Sequence, residues 1–127
     1  MYNEESTIMI KSRKFALRIT KMVDYLLQSK GKTYSSIYNQ VLRSGTSIMA
    51  NISESQFAQS RADFITKLHI ALKEANETKN WLFLLYGKGC LSDKEYESIN
   101  HDCKEIVALL VSSLNTAKKN AIINVKT

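Results

Sequence analysis

Apolar residues recur along this chain at helical spacing, with no sustained alternation of the kind a strand needs. Phe15, Ile19, Met22 and Leu26 fall at i, i+4, i+7 and i+11, the stripe of an amphipathic helix that runs from about residue 7 to 29. Lys30-Gly31 ends it, a cation near the C-terminus followed by a residue that accepts positive φ. A second helix over 33–57, capped by Thr33, carries Ile37, Val41, Gly45, Ile48 and Ile52 inward. Ser60-Arg-Ala-Asp63 has the pattern of a capping box. It opens a third helix over 61–86, in which Phe64, Leu68, Ala71, Ala75, Thr78, Leu82 and Leu85 keep 4-3 spacing for three heptads. The small residues Ala71, Ala75 and Thr78 at its centre invite a close helix partner, and the larger ones fill the ends where axes diverge. After Gly87-Lys-Gly89, a second capping box at Ser92 and Glu95 starts a fourth helix over 93–118 with Ile99, Cys103, Ile106, Leu110, Ser113 and Ala117 on one face. Residues 1–6 and 120–127 are expected to be disordered.

Four helices joined by short loops predict a single all-α domain, an up-down-up-down antiparallel four-helix bundle. Composition agrees. There are 127 residues, no proline and four glycines, too few of either for the ten or so reversals that a β-sandwich or barrel would need. Ile65, Leu72, Trp81 and Phe83 lie off the main stripe of the third helix, and Val107, Val111 and Leu114 off that of the fourth. Apolar arcs this wide exceed what one bundle core requires and predict a homo-oligomer.

Charge adds a class of partner. Eighteen Lys and Arg against twelve Asp and Glu give +6, which suits RNA, DNA or another anionic surface. The surplus lies toward the chain ends. Lys11, Lys14, Arg18 and Lys21 are spaced 3-4-3 along the first helix and Lys118 and Lys119 follow the last, so these six are the candidate nucleic-acid contacts. No apolar run approaches the ~18 residues that would cross a bilayer, and the N-terminus has no signal-peptide core. A cytoplasmic protein with reduced thiols at Cys90 and Cys103 and no membrane role is expected.

Candidates for chemistry are few. His69 and His101 are the only imidazoles. No Glu-x-x-His motif, glycine-rich phosphate loop or metal-ligand spacing occurs, so no catalytic residue, metal or cofactor is expected. His101, Asp102 and Cys103 diverge around a helix and cannot share a ligand. The unusual segment is in the second helix, where Arg43, Ser47, Asn51 and Glu54 form a polar line that an antiparallel hairpin carries past Glu74 and Glu77. Such a line reads first as a hydrogen-bonded seam that sets helix register.

From Leu42 to Glu54 (LRSGTSIMANISE) and from Ala62 to Thr78 (ADFITKLHIALKEANET) the chain resembles the bacterial four helix bundle proteins, also called 23S rRNA intervening-sequence proteins. It is similar as well to the accessory protein of diversity-generating retroelements. The likeness extends to the KSRKFALRI opening, Trp81-Leu82, Gly89-Cys-Leu91 and the region of Glu105. Two positions depart from the common pattern: Met49 stands where Pro is usual and Ser55 where Gly is usual. The second helix is therefore expected to run straight past Met49. The resemblance implies a ring-shaped homopentamer without enzymatic activity, which in the retroelement relatives is similar to an adaptor that binds nucleic acid and a reverse transcriptase. Arg43, Ser47, Asn51, Glu54, Glu74 and Glu77 match the family's characteristic positions. The alternative is a protein–protein scaffold with no nucleic-acid role.

Overall fold

The computed structural model describes the backbone of residues 6–126 and the side chains of 6–120. Four helices follow one another: α1 (Thr7–Lys30), α2 (Ser35–Ser55), α3 (Arg61–Gly87) and α4 (Asp93–Lys126). No strand occurs among the described residues. The connections 31–34, 56–60 and 88–92 are too short to cross the bundle, so each helix returns antiparallel to the one before it. Each packs on its neighbours around a ring, α1 on α2, α2 on α3, α3 on α4 and α4 back on α1. The α1–α4 seam that closes the ring has the sparsest backbone contact, and α2–α3 the densest.

The termini of the helices show why they stop where they do. Ser6 caps α1 by accepting from the Met9 N–H at 3.3 Å, so it is ordered rather than part of an irregular leader; residues 1–5, also expected to be irregular, lie outside the described residues. Ser60 accepts from the Asp63 N–H at 3.0 Å, and the Asp63 carboxylate reaches back to the Gln59 N–H. At α4 the exchange is reciprocal, Glu95 N–H to Ser92 Oγ at 3.1 Å and Ser92 N–H to Glu95 Oε1 at 2.9 Å. Gly31 and Gly89 take φ of 70° and 78°, which a residue with a Cβ adopts only under strain. Across the second of these turns Tyr86 stacks on Tyr96, with ring centroids 4.4 Å apart.

Two expectations need correction. Thr33 does not cap α2: the helix starts at Ser35 behind Tyr34, with no side-chain cap. A backbone turn does the work instead, Ser35 N–H to the Lys32 carbonyl and Ile37 and Tyr38 N–H to that of Tyr34. At the other end Gln56 and Phe57 N–H fold back onto Ser53 and Glu54 in tight turns, which stops α2 at Ser55. The fourth helix does not end at residue 118. The α4 backbone stays helical to Lys126, because no Gly or Pro interrupts the ladder of i to i−4 bonds there; residue 127 lies outside the described residues.

Buried Phe15, Ile19, Val23 and Leu26 of α1 meet Val41, Ile48 and Ile52 of α2, Leu68, Leu82 and Leu85 of α3, and Ile99, Ile106 and Leu110 of α4. Leu114, expected off the core stripe, is buried in it. Between these layers lies a waist of small residues. Gly45 of α2 sits against Ile19, whose Cγ1 and Cγ2 would be 3.1 Å from any Cβ added there. Thr78 Oγ1 donates across to Ser44 Oγ at 2.8 Å, and Cys103 Sγ lies 3.5 Å from the Ala75 carbonyl. Only side chains of this size let three helix pairs approach so closely. Replacing Gly45 by Leu should therefore force Ile19 and α1 outward. We expect a loss of about 1–3 kcal/mol in denaturant unfolding, the usual range for overpacking, and an unchanged midpoint would contradict the close approach.

Candidate functional site

The densest group of polar contacts lies where α2 meets α3. Successive turns of α2 place Arg43, Ser47, Asn51 and Glu54 along the edge that faces α3. Arg43 forks between two carboxylates one turn apart on α3. Its Nη1 donates to Glu74 Oε2 at 3.2 Å and its Nη2 to Glu77 Oε2 at 2.8 Å. Gln40 Oε1 approaches Nε of the same guanidinium at 3.5 Å. The hydrogen bond to Glu77 and the charge of Glu74 hold Arg43 above its already high pKa, so it is a permanent cation. Glu74 is the buried member, 9% exposed. A carboxylate that deep requires a fixed countercharge.

Below the fork the line changes character. Asn51 Nδ2 donates to the Ser47 carbonyl at 2.9 Å and to Ser47 Oγ at 3.1 Å, bonds that stay within α2. Glu54 meets Lys67 of α3 at 3.6 Å. The six seam residues are thus brought to one helix pair, but as three separate groups rather than one network. Lys67 was not among the residues singled out from sequence, and its place three turns before Glu77 on α3 was the available signal.

The cationic row of α1 is divided by the fold. It lies along α4, whose acids face it. Lys11 Nζ pairs with Glu105 Oε1 at 2.9 Å. Arg18 is held more firmly, Nη1 donating to Asp102 Oδ2 at 2.7 Å and to the Ser98 carbonyl, and Nη2 to Ser98 Oγ at 2.7 Å. Lys14 and Lys21 are exposed and have no partner among the described residues. Lys118 and Lys119 are exposed too, three turns or more beyond Glu105 on α4. Asp102, Ser98 and Glu105 were missed as partners because the acidic balance of the fourth helix says nothing about which helix it faces.

Residues of reactive type are dispersed. His69 and His101 are exposed. His101, Asp102 and Cys103 point to solvent, to Arg18 and into the core respectively. Burial pushes the Cys103 thiol up to about 12, with the Asp102 charge adding to it and Lys79 opposing. A thiol so disfavoured as thiolate is a poor nucleophile at neutral pH. No group of three metal-ligating side chains forms, and no helix is long and apolar enough to cross a membrane, among the described residues.

The expected outward apolar residues divide as well. Ile65, Leu72, Trp81 and Val107 pack half-buried against the core, while Phe83 and Val111 stay exposed. Trp81, Phe83 and Leu84 line an open groove of about 390 Å³ on α3 with Glu77 and Asn80.

An all-α antiparallel bundle with a charged α2–α3 seam is the class of protein that this fold and site define. The chain belongs to the 23S rRNA-intervening sequence protein family, whose profile matches residues 4–112. It is similar to a protein of unknown function from the S23 ribosomal protein family of Bacteroides thetaiotaomicron. The two are 49% identical, superpose with a TM-score of 0.82, and share 85% of this chain and 98% of that one. No curated protein matches.

Burial makes a direct prediction for the two thiols. Cys90 and Cys103 should both resist iodoacetamide in the native protein at pH 8 and both react once it is unfolded in denaturant, as counted by mass spectrometry. Rapid native labelling of Cys103 would contradict its place in the core.

Proposed function

We propose that this protein is a non-enzymatic, self-associating adaptor that docks RNA or DNA on a basic surface centred on α1. The observation that carries the reading is the imbalance of that helix, six Lys and Arg against Asp24 alone. Ion pairing to α4 takes up Lys11 and Arg18 and leaves Lys14 and Lys21 exposed. Lys118 and Lys119 extend the same sign along α4. Cations without internal partners attract phosphates and release their counterions, which yields affinity with little sequence preference. Family membership is in keeping with a binding role. The exposed Ile10, Leu17 and Phe83 support self-association, which would multiply the basic faces.

The division of the cationic row decides how the reading is tested. Reversing Lys11 or Arg18 would set like charges against Glu105 or Asp102 and loosen α1 from α4, so loss of binding there would be ambiguous. Lys14, Lys21, Lys118 and Lys119 changed together to Glu leave the described ion pairs in place. Titrating a labelled RNA oligonucleotide by fluorescence anisotropy at low salt should show binding by the parent and a loss of about tenfold or more in the variant. The slope of log K against log salt should flatten by about 0.7–0.9 for each phosphate contact removed. No binding by the parent, or an unaltered variant, would overturn the nucleic-acid reading in favour of a protein scaffold. Light scattering should return a multiple of the 14.4 kDa chain mass; the mass of one chain would overturn self-association.

A further inference from the structure

We propose that the cleft beside Tyr25, where α1 meets the start of α4, takes one unpaired nucleobase, so that the protein prefers single-stranded nucleic acid to duplex. This inference rests on the nucleic-acid reading above and goes beyond it in naming the form of the ligand and the residue that recognises it.

Tyr25 follows Lys21 by four residues and so continues the 3-4-3 row of Lys11, Lys14, Arg18 and Lys21 along the same side of α1. The row therefore ends in an aromatic ring. From Lys11 to Tyr25 it spans about 21 Å at the rise of an α-helix. Tyr25 is 57% exposed, although Met22, Leu91 and Ile99 line the same cleft. The cleft beneath has a volume of about 260 Å³ and is lined by Arg18, Lys21, Met22, Tyr25, Leu91, Glu95 and Ile99. Leu91 and Ile99 are buried and Met22 half-buried, which makes an apolar floor.

The polar groups of the rim are arranged for a base rather than for a phosphate. Lys21 is exposed, has no partner among the described residues and can meet a backbone phosphate. Arg18 is already fixed by Asp102 and Ser98, so it forms a wall and holds α4 in place beneath the ring. The Glu95 carboxylate accepts from the Ser92 N–H through Oε1 at 2.9 Å and keeps further acceptor capacity for an exocyclic amine. Its negative charge repels phosphate from that side of the cleft. An exposed tyrosine beside buried Leu91 and Ile99, with a carboxylate acceptor and an unpaired cation on the same lining, matches a base stacked on tyrosine with its phosphate toward Lys21. A paired base within a duplex cannot leave its stack to enter such a cleft without losing its partner. Duplex would then touch the lysines alone.

The test uses four proteins and three probes. The parent, Tyr25→Ala, Tyr25→Phe and Lys21→Glu are titrated with a labelled single-stranded RNA, an abasic strand of the same length, and a duplex. Because Tyr25 is exposed, its replacement should leave the thermal melt monitored by circular dichroism unchanged. The parent should bind the single strand more tightly than the abasic strand. Tyr25→Ala should lose on the order of tenfold for the single strand alone, removing that preference, and Tyr25→Phe should keep it. Lys21→Glu should weaken all three probes. Equal binding of single and abasic strands by the parent, or a Tyr25→Ala protein that binds the single strand as the parent does, would overturn the stacking site and leave the nucleic-acid reading standing. A parent that binds no probe at low salt would overturn both.

Discussion

At its waist the bundle is narrower than leucine-sized side chains would permit. Gly45 presents only hydrogen to the branched end of Ile19, the Ser44 and Thr78 hydroxyls meet between α2 and α3, and the Cys103 thiol rests near the Ala75 backbone. Close axes bring the larger side chains above and below into one buried layer after another. They also bring the edges of the helices within reach of short ionic contacts. Arg43 can span from α2 to two carboxylates of α3 because the axes are close there, and Glu74 can be nearly buried because Arg43 reaches it. The polar seam is thus a consequence of the small residues beneath it, and the two together make α2–α3 the most extensive helix pair.

The opposite side of the ring is built differently. Backbone contact between α1 and α4 is sparse, and ionic bonds hold the seam where packing is thin. Lys11 to Glu105 and Arg18 to Asp102 and Ser98 bridge helices that lie far apart in sequence. Each of these pairs is partly exposed, so each contributes modestly, yet together they orient α1 on α4. Their larger effect is on what remains. Once Lys11 and Arg18 are satisfied internally, Lys14, Lys21 and the ring of Tyr25 become the outward face of the row.

Local features of the sequence account for much of the architecture. The 3-4 spacing of apolar residues sets the inward face of each helix, since side chains three and four apart share a face whatever lies opposite. Ser60 and Ser92 cap because their hydroxyls reach N–H groups three residues on, a contact that needs no tertiary partner. Thr33 misled for the same reason: a backbone turn at Lys32–Tyr34 supplies the bonds that a hydroxyl would otherwise make. The α2 line was visible as a line, and antiparallel geometry placed Glu74 and Glu77 opposite it. Its breakup into three groups was not visible, because Asn51 can bond the carbonyl of Ser47 as readily as reach across. The continuation of α4 to Lys126 has no local signal, because neither a glycine nor a proline marks where that helix ends.

The sequence by itself determined four helices, their inward faces, the small centre of α3 and the excess of positive charge, because each depends on residue spacing or composition along one stretch of chain. Only the tertiary structure decided that Gly45 lies under Ile19, that Lys11 and Arg18 are bound to α4 while Lys14 and Lys21 are not, and that Tyr25 stands over a cleft with Leu91 and Ile99. These are relations between helices whose rotation and stagger are set by how unlike side chains interlock. A periodic pattern specifies which face turns inward, but two helices can bring that face together at several registers. The choice among them belongs to the packed whole.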